Sequence, residues 1–492
     1  MADTTFMDHY YPVLPPYLHQ RRAVEEAADR QGFAWIMEMG TGKTKVCIDN
    51  AVALYRAGRI DAMLIFAPKG ICGNWIHTEL KKHVPSEILR EAIVHEWAGG
   101  HTQRERRIMS EVVESSSRGL RIVVANIEGL SSSKRMEPYL LDLVLRHRTF
   151  LAVDESTTVK NPTAARTKIL LYLAKKCPFR RIMTGYPSPQ GPLDLFSQYE
   201  VVRPGCLGFT SFRAYSARYA IKEQIELKNG RRTSVVVGYR NQEDLPEKMA
   251  PHSFYAKKED CLDLPEKIYT TRDVELTDQQ RRMYDAMRKT ALADIGNGER
   301  VTATQATTLL LRMHQIVCGH VTTETDQVVD IASNRARVLG DILEETDESV
   351  IVWGCYRRDL YNIAMELEDR GIPYVRYDGS TPQDARTRAV DAFQTREDDI
   401  RVFLGSPYVA GYGLTLTRAT CVIYFSNSYD LEKRKQSEDR AHRIGQHHPV
   451  TYIDLVSPRT VDERILRALE KKENVAEMLS RDPRKALEGL LA

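Results

Sequence analysis

Met37-Glu38-Met39-Gly40-Thr41-Gly42-Lys43-Thr44 follows a short apolar run, residues 34–37, and opens a helix-compatible stretch. Glycines in such a loop let backbone N–H groups approach phosphate oxygens, and the helix N-terminus adds positive potential. On this reading Gly40, Thr41 and Gly42 form the cradle. Lys43 reaches the β/γ-phosphates of ATP, and the Thr44 hydroxyl holds Mg2+. The long pattern G-x-x-x-x-G-K-[ST] is not met, because Met37 occupies its first glycine position, but the shorter G-x-G-K-T form is present. A chance turn is the plain alternative; the strand–loop–helix setting favours the phosphate loop.

Working outward, short β-branched runs alternate with helical stretches, the rhythm of α/β units around parallel sheets. In the first half, candidate strands are 34–37, 62–67, 121–125, 150–153 and 180–183. In the second half they are 350–353, 374–376, 402–404, 421–424 and 452–456. The expected architecture is α/β: two parallel-sheet lobes with helical insertions. Lobe 1 is placed at 1–205 with a helical insertion at 206–262. A linker and second helical insertion occupy 263–334, and lobe 2 occupies 335–492. Helical patterns stand at 278–296 and 303–318, and the passage between lobes is expected near Leu264-Pro265. No inserted wedge or hairpin is legible.

The 492 residues exceed one ordinary core. With 70 Lys and Arg against 67 Asp and Glu, the formal charge is +3, so any basic surface must be local. Eight cysteines are scattered without C-x-x-C spacing, so neither a zinc ribbon nor a dithiol redox site is indicated, and reduced, mostly buried thiols are favoured. No signal-like or membrane-spanning apolar run is present, so a cytoplasmic location without membrane association is expected.

Asp154 and Glu155 end the apolar run 150–153. Phosphoryl transfer needs a carboxylate to hold the metal and a group to orient the attacking water, and these two suit the roles in that order. An acidic strand end that caps a helix is the alternative. Gln436, Arg440 and Arg443 fall at i, i+4 and i+7, which would place them on one helix face. Guanidinium groups delivered there can stabilise charge on a transferring phosphoryl group; a solvated helix is the competing reading.

These segments in this order resemble the superfamily 2 nucleic-acid motors, and further segments narrow the likeness to Swi/Snf-type translocases. Ala67-Pro68-Lys69-Gly70 through Asn74-Trp75 to Glu79 is similar to that family's P-x(5)-N-W-x(3)-E element. Asp154 to Asn161 has its D-E-x-x-x-x-K-N form, and Thr184-Gly185-Tyr186-Pro187 its T-G-T-P coupling motif. Asp263-Leu264-Pro265-Glu266-Lys267 resembles the entry into the second lobe. Gly411 to Thr417 and Arg440-Ala441-His442-Arg443-Ile444-Gly445-Gln446 complete the set, and the likeness spans about residues 14 to 467.

The resemblance implies two RecA-like lobes with ATP between them, drawn together by binding and released by hydrolysis. It makes Gln20 the adenine-reading glutamine, and Lys43, Asp154, Glu155, Arg440 and Arg443 the catalytic set. Thr44 and Asp154 become the Mg2+ partners, and Gly413 the residue closing over the nucleotide. Pro68, Lys69, Lys160, Asn161, Ser380, Thr381 and Thr415 would line a track for double-stranded or branched DNA, although small polar residues at strand ends also cap helices. The chain departs from the family pattern in four places. Thr157 stands where a His usually links the ATP site to the coupling motif, Tyr186 replaces Thr, and Gly191 replaces a common Asn. Phe254-Tyr255 replaces a basic pair, with Lys257-Lys258 just after. No chromatin-reading domain is recognisable, which points to a minimal bacterial or phage motor. The expected activity is an ATP-dependent duplex-DNA translocase that remodels branched DNA or displaces bound proteins. A strand-separating DNA or RNA helicase and an ATP-gated DNA-binding subunit are the rivals.

Overall fold

A computed structural model describes residues 6–97, 102–133, 136–189, 191–226, 232–296, 303–323, 325–410, 414–427 and 430–471. The chain divides into two compact units, Met1–Asp263 and Leu264–Ala492.

The first unit contains β1 (Gly32–Met37), β2 (Ala62–Ala67), β3 (Ile93–Trp97), β4 (Arg121–Asn126), β5 (Thr149–Asp154) and β6 (Phe179–Thr184). After the helix Phe212–Tyr219 come β7 (Ala220–Glu226), β8 (Arg232–Tyr239) and β9 (Ser253–Ala256). Seven of these form one parallel sheet in the order β3-β4-β2-β5-β6-β1-β9. β2 and β5 are buried along their whole length, which is why they read as unbroken apolar runs rather than alternating ones. Helices such as Lys43–Arg56 and Leu195–Val202 supply the buried side chains that cover the sheet.

The second unit contains β10 (Lys267–Asp273), β11 (His320–Thr322), β12 (Val328–Asp330), β13 (Val350–Trp353), β14 (Tyr374–Tyr377), β15 (Val402–Gly405), β16 (Cys421–Tyr424) and β17 (Val450–Val456). Its six-stranded parallel sheet runs β10-β17-β16-β13-β15-β14. The two-lobed α/β expectation holds, and all ten strands read from the sequence are present.

Two insertions differ from expectation. Residues 206–262 are not simply helical: β7 and β8 form an antiparallel hairpin, and β9 joins the main sheet. Residues 263–334 are not a linker throughout, because β10 pairs with β17 along its whole length. Six of its seven residues are exposed, so no apolar pattern marks it. Helices Asp278–Gly296 and Ala303–Cys318 stand where the periodicity puts them. All eight cysteines are free thiols. Among the described residues, no helix is long and apolar enough to cross a membrane.

Candidate nucleotide site

In an open parallel sheet, ligands bind beyond the carboxyl ends of the strands. In the first unit, β2, β5, β6 and β1 are successive neighbours. The segments that follow them are Pro68-Lys69, Asp154-Glu155, Thr184 to Pro187, and the glycine loop.

After β1 the chain turns through Gly40 at φ +80° and Gly42 at φ +91° into the helix Lys43–Arg56. Both angles lie in the left-handed region that glycine enters without a Cβ penalty. Gly42 also gives room, since a Cβ there would lie 2.2 Å from Gln20 Nε2. The loop is braced internally. The Thr41 hydroxyl donates to Glu38 O at 2.7 Å, and the buried Lys43 ammonium donates to Met37 O at 2.9 Å and Glu38 O at 3.3 Å.

Gln20 comes from the helix Leu18–Ala27. Its Nε2 donates to Thr41 O at 3.0 Å, and its Oε1 accepts from Tyr17 N at 3.1 Å. His19, which sequence reasoning missed, meets the same Thr41 carbonyl at 2.8 Å. Gln20 is thus physically joined to the glycine loop.

β5 carries Asp154 to the same edge. Its Oδ1 accepts from Glu155 N at 3.0 Å and its Oδ2 from Trp75 Nε1 at 2.9 Å. Burial, and then the neighbouring Glu155 charge, push the Asp154 carboxyl up to about 7, against the downward pull of the Trp75 bond and the Lys43 charge. Such a carboxyl gains its ionised form when a cation arrives. Glu155 adopts φ +48°, a left-handed conformation that costs a non-glycine residue roughly 1–2 kcal/mol. It ends the strand abruptly and starts the turn Ser156–Val159.

The donor set fits a nucleotide with its metal: a glycine cradle that a Cβ would fill, a buried cation-seeking carboxyl, and Thr44 as the second residue of the helix. Among the described residues, no cluster of three or more His, Cys, Asp or Glu comes together for a metal. Magnesium is ordinarily held by one or two protein groups, which Asp154 and Thr44 would supply, beside phosphate oxygens and water.

Trp75 belongs to the N-W-x(3)-E element, and the chain there forms one π-type turn, Trp75–Glu79. The five-residue reach brings Asn74 Nδ2 to Glu79 Oε1 at 3.4 Å, which gives that spacing a local physical reason. Before it, Pro68 is buried and Lys69 exposed, with the Lys69 N–H donating to Glu128 Oε2 at 3.1 Å. After β6, a Cβ on Gly185 would lie 3.4 Å from Met39 N, so this turn rests against the glycine loop. Lys160 pairs with Asp194 at 3.5 Å, and the exposed Asn161 accepts from the Thr163 N–H and hydroxyl.

In the second unit, the Asp378 carboxylate accepts from the Ser380 N–H at 2.7 Å and the Ser380 hydroxyl at 2.5 Å, and Thr381 Oγ1 accepts from Asp378 N. Burial opposes ionisation, but the Ser380 hydroxyl and the Arg376 guanidinium outweigh it and hold Asp378 at about 2. Ser380 and Thr381 therefore order the entry to the helix Gln383–Thr395, the capping alternative for such residues. Thr415 is exposed, while Gly413 lies outside the described residues.

The single helix face expected for Gln436, Arg440 and Arg443 is corrected, because the helix is Leu431–Glu438. Beyond it the pattern breaks: the Arg440 N–H donates to Ser437 O at 3.3 Å, Gln436 O accepts from Arg440 Nε at 2.8 Å, and Glu438 O is shared by Tyr452 OH at 2.9 Å and the Ala441 and His442 N–H groups. The two guanidiniums still converge, because Arg440 Nη1 and Arg443 Nη1 both donate to Leu414 O, at 3.2 and 2.8 Å. Gln446 Nε2 braces the bend by donating to Thr417 O, Ala419 O and Ala441 O.

Two parallel-sheet lobes, the first with a glycine loop and a carboxyl pair at its strand ends, define a P-loop α/β protein. A model of the SNF2-related domain matches residues 20–321, and a model of the helicase conserved C-terminal domain matches residues 334–445. The chain belongs to the SNF2-related family of superfamily 2 helicase-like ATPases. It is 27% identical over 489 residues to the Caenorhabditis elegans homologue of SWI/SNF-related matrix-associated actin-dependent regulator of chromatin subfamily A-like protein 1, covering 98% of this chain and 63% of that protein. It is 27% identical over 462 residues to the mouse DNA annealing helicase and endonuclease ZRANB3, covering 93% of this chain and 40% of that protein. The chain thus spans less than two thirds of either relative. A solved structure, the Sulfolobus solfataricus SWI2/SNF2 ATPase core in complex with dsDNA, is similar at a TM-score of 0.43 and 21% identity over 99% of this chain and 97% of that one.

Proposed function

We propose that this chain is an ATP-dependent translocase on double-stranded DNA that remodels branched DNA or protein–DNA complexes in the cytoplasm or nucleoid. The observation that carries the reading is the bond from Trp75 to Asp154. Trp75 lies in a segment that begins beside the exposed Lys69, so one short stretch joins a candidate phosphate contact to the carboxylate of the nucleotide site. Duplex binding at one end can then alter hydrolysis at the other.

Lys43 and the glycine loop hold the phosphates, Gln20 reads adenine, and Thr44 and Asp154 hold magnesium. When bound, magnesium would supply neutralisation of the charge that develops on the phosphates. Glu155 orients the attacking water, and Arg440 and Arg443 stabilise the transferring phosphoryl group. Lys69, Lys160, Asn161 and Thr415 are the polar candidates for the DNA track, with Ser380 and Thr381 ordering its second-lobe portion. Contacts to phosphates are independent of sequence and salt-sensitive, as a tracking motor requires. The ZRANB3 and nematode relatives bear names of DNA- and chromatin-related proteins, which supports the same direction.

Strand separation is the second reading, and the β7–β8 hairpin favours it, with Ile221 and Val237 exposed. The deciding experiment measures ATP turnover with matched DNA and RNA duplexes, together with strand-displacement and triplex-displacement assays. A translocase is stimulated more by duplex DNA and displaces the triplex without parting a plain duplex. Equal stimulation by RNA, or unwinding without triplex displacement, would move the assignment to a helicase.

A further inference from the structure

Gln198 sits on the helix Leu195–Val202 among Leu195, Phe196, Tyr199 and Val202, all buried, and is itself 0% exposed. An amide in such surroundings is costly unless its hydrogen bonds are made, and a leucine would fill similar volume without that cost. Here the amide is engaged on both sides. Its Oε1 accepts from the Ser156 hydroxyl at 2.6 Å, and its Nε2 donates to Pro187 O at 2.6 Å and Asp194 O at 2.8 Å. Ser156 is also 0% exposed and directly follows Glu155, whose left-handed backbone sets the turn. Pro187 ends the Thr184 to Pro187 turn, which rests against the glycine loop through Gly185. A second link runs in parallel, from Lys160 to the Asp194 carboxylate at 3.5 Å.

We infer that Gln198 is a positioning residue that transmits the state of the Glu155-Ser156 turn to the Thr184–Pro187 turn, clamping the two by a single side-chain amide. Ser156 and Pro187 are on different strand-end turns, so a change in either must move or break a bond to Gln198. Networks of this kind act through fixed geometry, because every donor and acceptor has one partner set. The inference rests on the translocase reading for its functional consequence, but not for the mechanical link itself.

The test uses the full chain with Gln198→Leu and, as a smaller change, Ser156→Ala. Thermal unfolding confirms that each variant is folded. Two readouts are taken: ATP turnover with and without duplex DNA, and amide hydrogen exchange at Gly185, Tyr186 and Ser188 with and without a slowly hydrolysed ATP analogue. Basal turnover and the ATP KM should stay within about twofold of wild type, since neither side chain holds substrate. Duplex stimulation should fall about tenfold, inside the roughly 5–150-fold span of ordinary coupling between sites. The nucleotide-dependent change in exchange at the three amides, present in wild type, should be lost in Gln198→Leu. Retention of both responses in both variants overturns the inference, as does a parallel fall of basal turnover, which would mark a merely structural role. If wild type is not stimulated by duplex DNA, the translocase reading fails, and the exchange measurement still decides whether Gln198 is the clamp.

Discussion

The indole Nε1 of Trp75 donates to Asp154 Oδ2 at 2.9 Å, with both side chains buried. The bond leaves the carboxylate one fixed orientation and opposes the upward push of burial on its proton affinity. Partners that orient a metal-holding group typically contribute about 10–100-fold to metal affinity or activity. Trp75→Phe keeps an aromatic ring and removes the donor, so it should raise the Mg2+ concentration needed for half-maximal ATP turnover by that order. A magnesium titration of turnover checks this, and an unchanged titration in a folded variant would remove Trp75 from the site.

Lys43 and Glu155 stand on separate strand ends and should separate by phenotype. Lys43→Ala removes the ammonium held over Met37 O and Glu38 O, and nucleotide binding and turnover should both be lost. Glu155→Gln keeps the turn's shape and removes the charge, so nucleotide should still bind while hydrolysis stops. Fluorescent-nucleotide binding beside phosphate release distinguishes them. Normal turnover by either variant contradicts the assignment.

Arg443 donates to Leu414 O at 2.8 Å, beside Arg440 on the same carbonyl. Arg443→Ala lies in the second unit and should leave ATP and DNA binding intact. Its turnover should drop by roughly 10³-fold, the lower end of the scale for a lost arginine finger. A loss of only a few-fold would return Arg443 to a structural role at the bend.

The second unit should lose stability in acid in a specific window. Burial opposes ionisation of Glu438, but Lys267 and then Arg434 outweigh it and hold the carboxyl at about 2, below its ordinary 4.5. A depressed carboxyl stabilises the fold fully above the unfolded value and loses that contribution as pH falls from about 4.5 toward 2. Asp462, held at about 2 chiefly by Arg335 against its burial, adds to the same slope, and burial of His320 adds to it between 6.5 and about 4. Asp359, raised to about 6 by burial, acts in the opposite sense between 3.8 and 6. Glu438→Gln should therefore flatten the acid limb of stability, measured as urea midpoints between about pH 5 and about pH 2. An acid limb as steep as wild type would show that the Lys267 and Arg434 bonds do not set it.

Much of this was written locally. The strands buried on both faces, such as β2 and β5, carry unbroken apolar runs, and the glycine loop must use glycine where φ is positive. Asp154 and Glu155 were legible because they interrupt such a run at its end. Of the edge strands, β14 was read, while β3 and β10 were not. β3 and β10 are only partly buried or exposed, and a strand with little to bury writes no apolar pattern.

The sequence by itself determined two α/β lobes, the glycine loop and the carboxyl pair at strand ends, and family membership, because each depends on neighbouring residues and on the periodicity of burial. Only the tertiary structure decided what those residues touch. Trp75 reaches Asp154 across 79 positions, and Ser156 reaches Gln198 across 42. It also ended the Leu431–Glu438 helix before Arg440, where the Arg440 N–H turns to Ser437 O and its own Nε takes Gln436 O, the carbonyl a longer helix would have used. A hydrogen bond depends on distance and angle in space, and chain positions this far apart meet only when the sheet has brought their strand ends side by side.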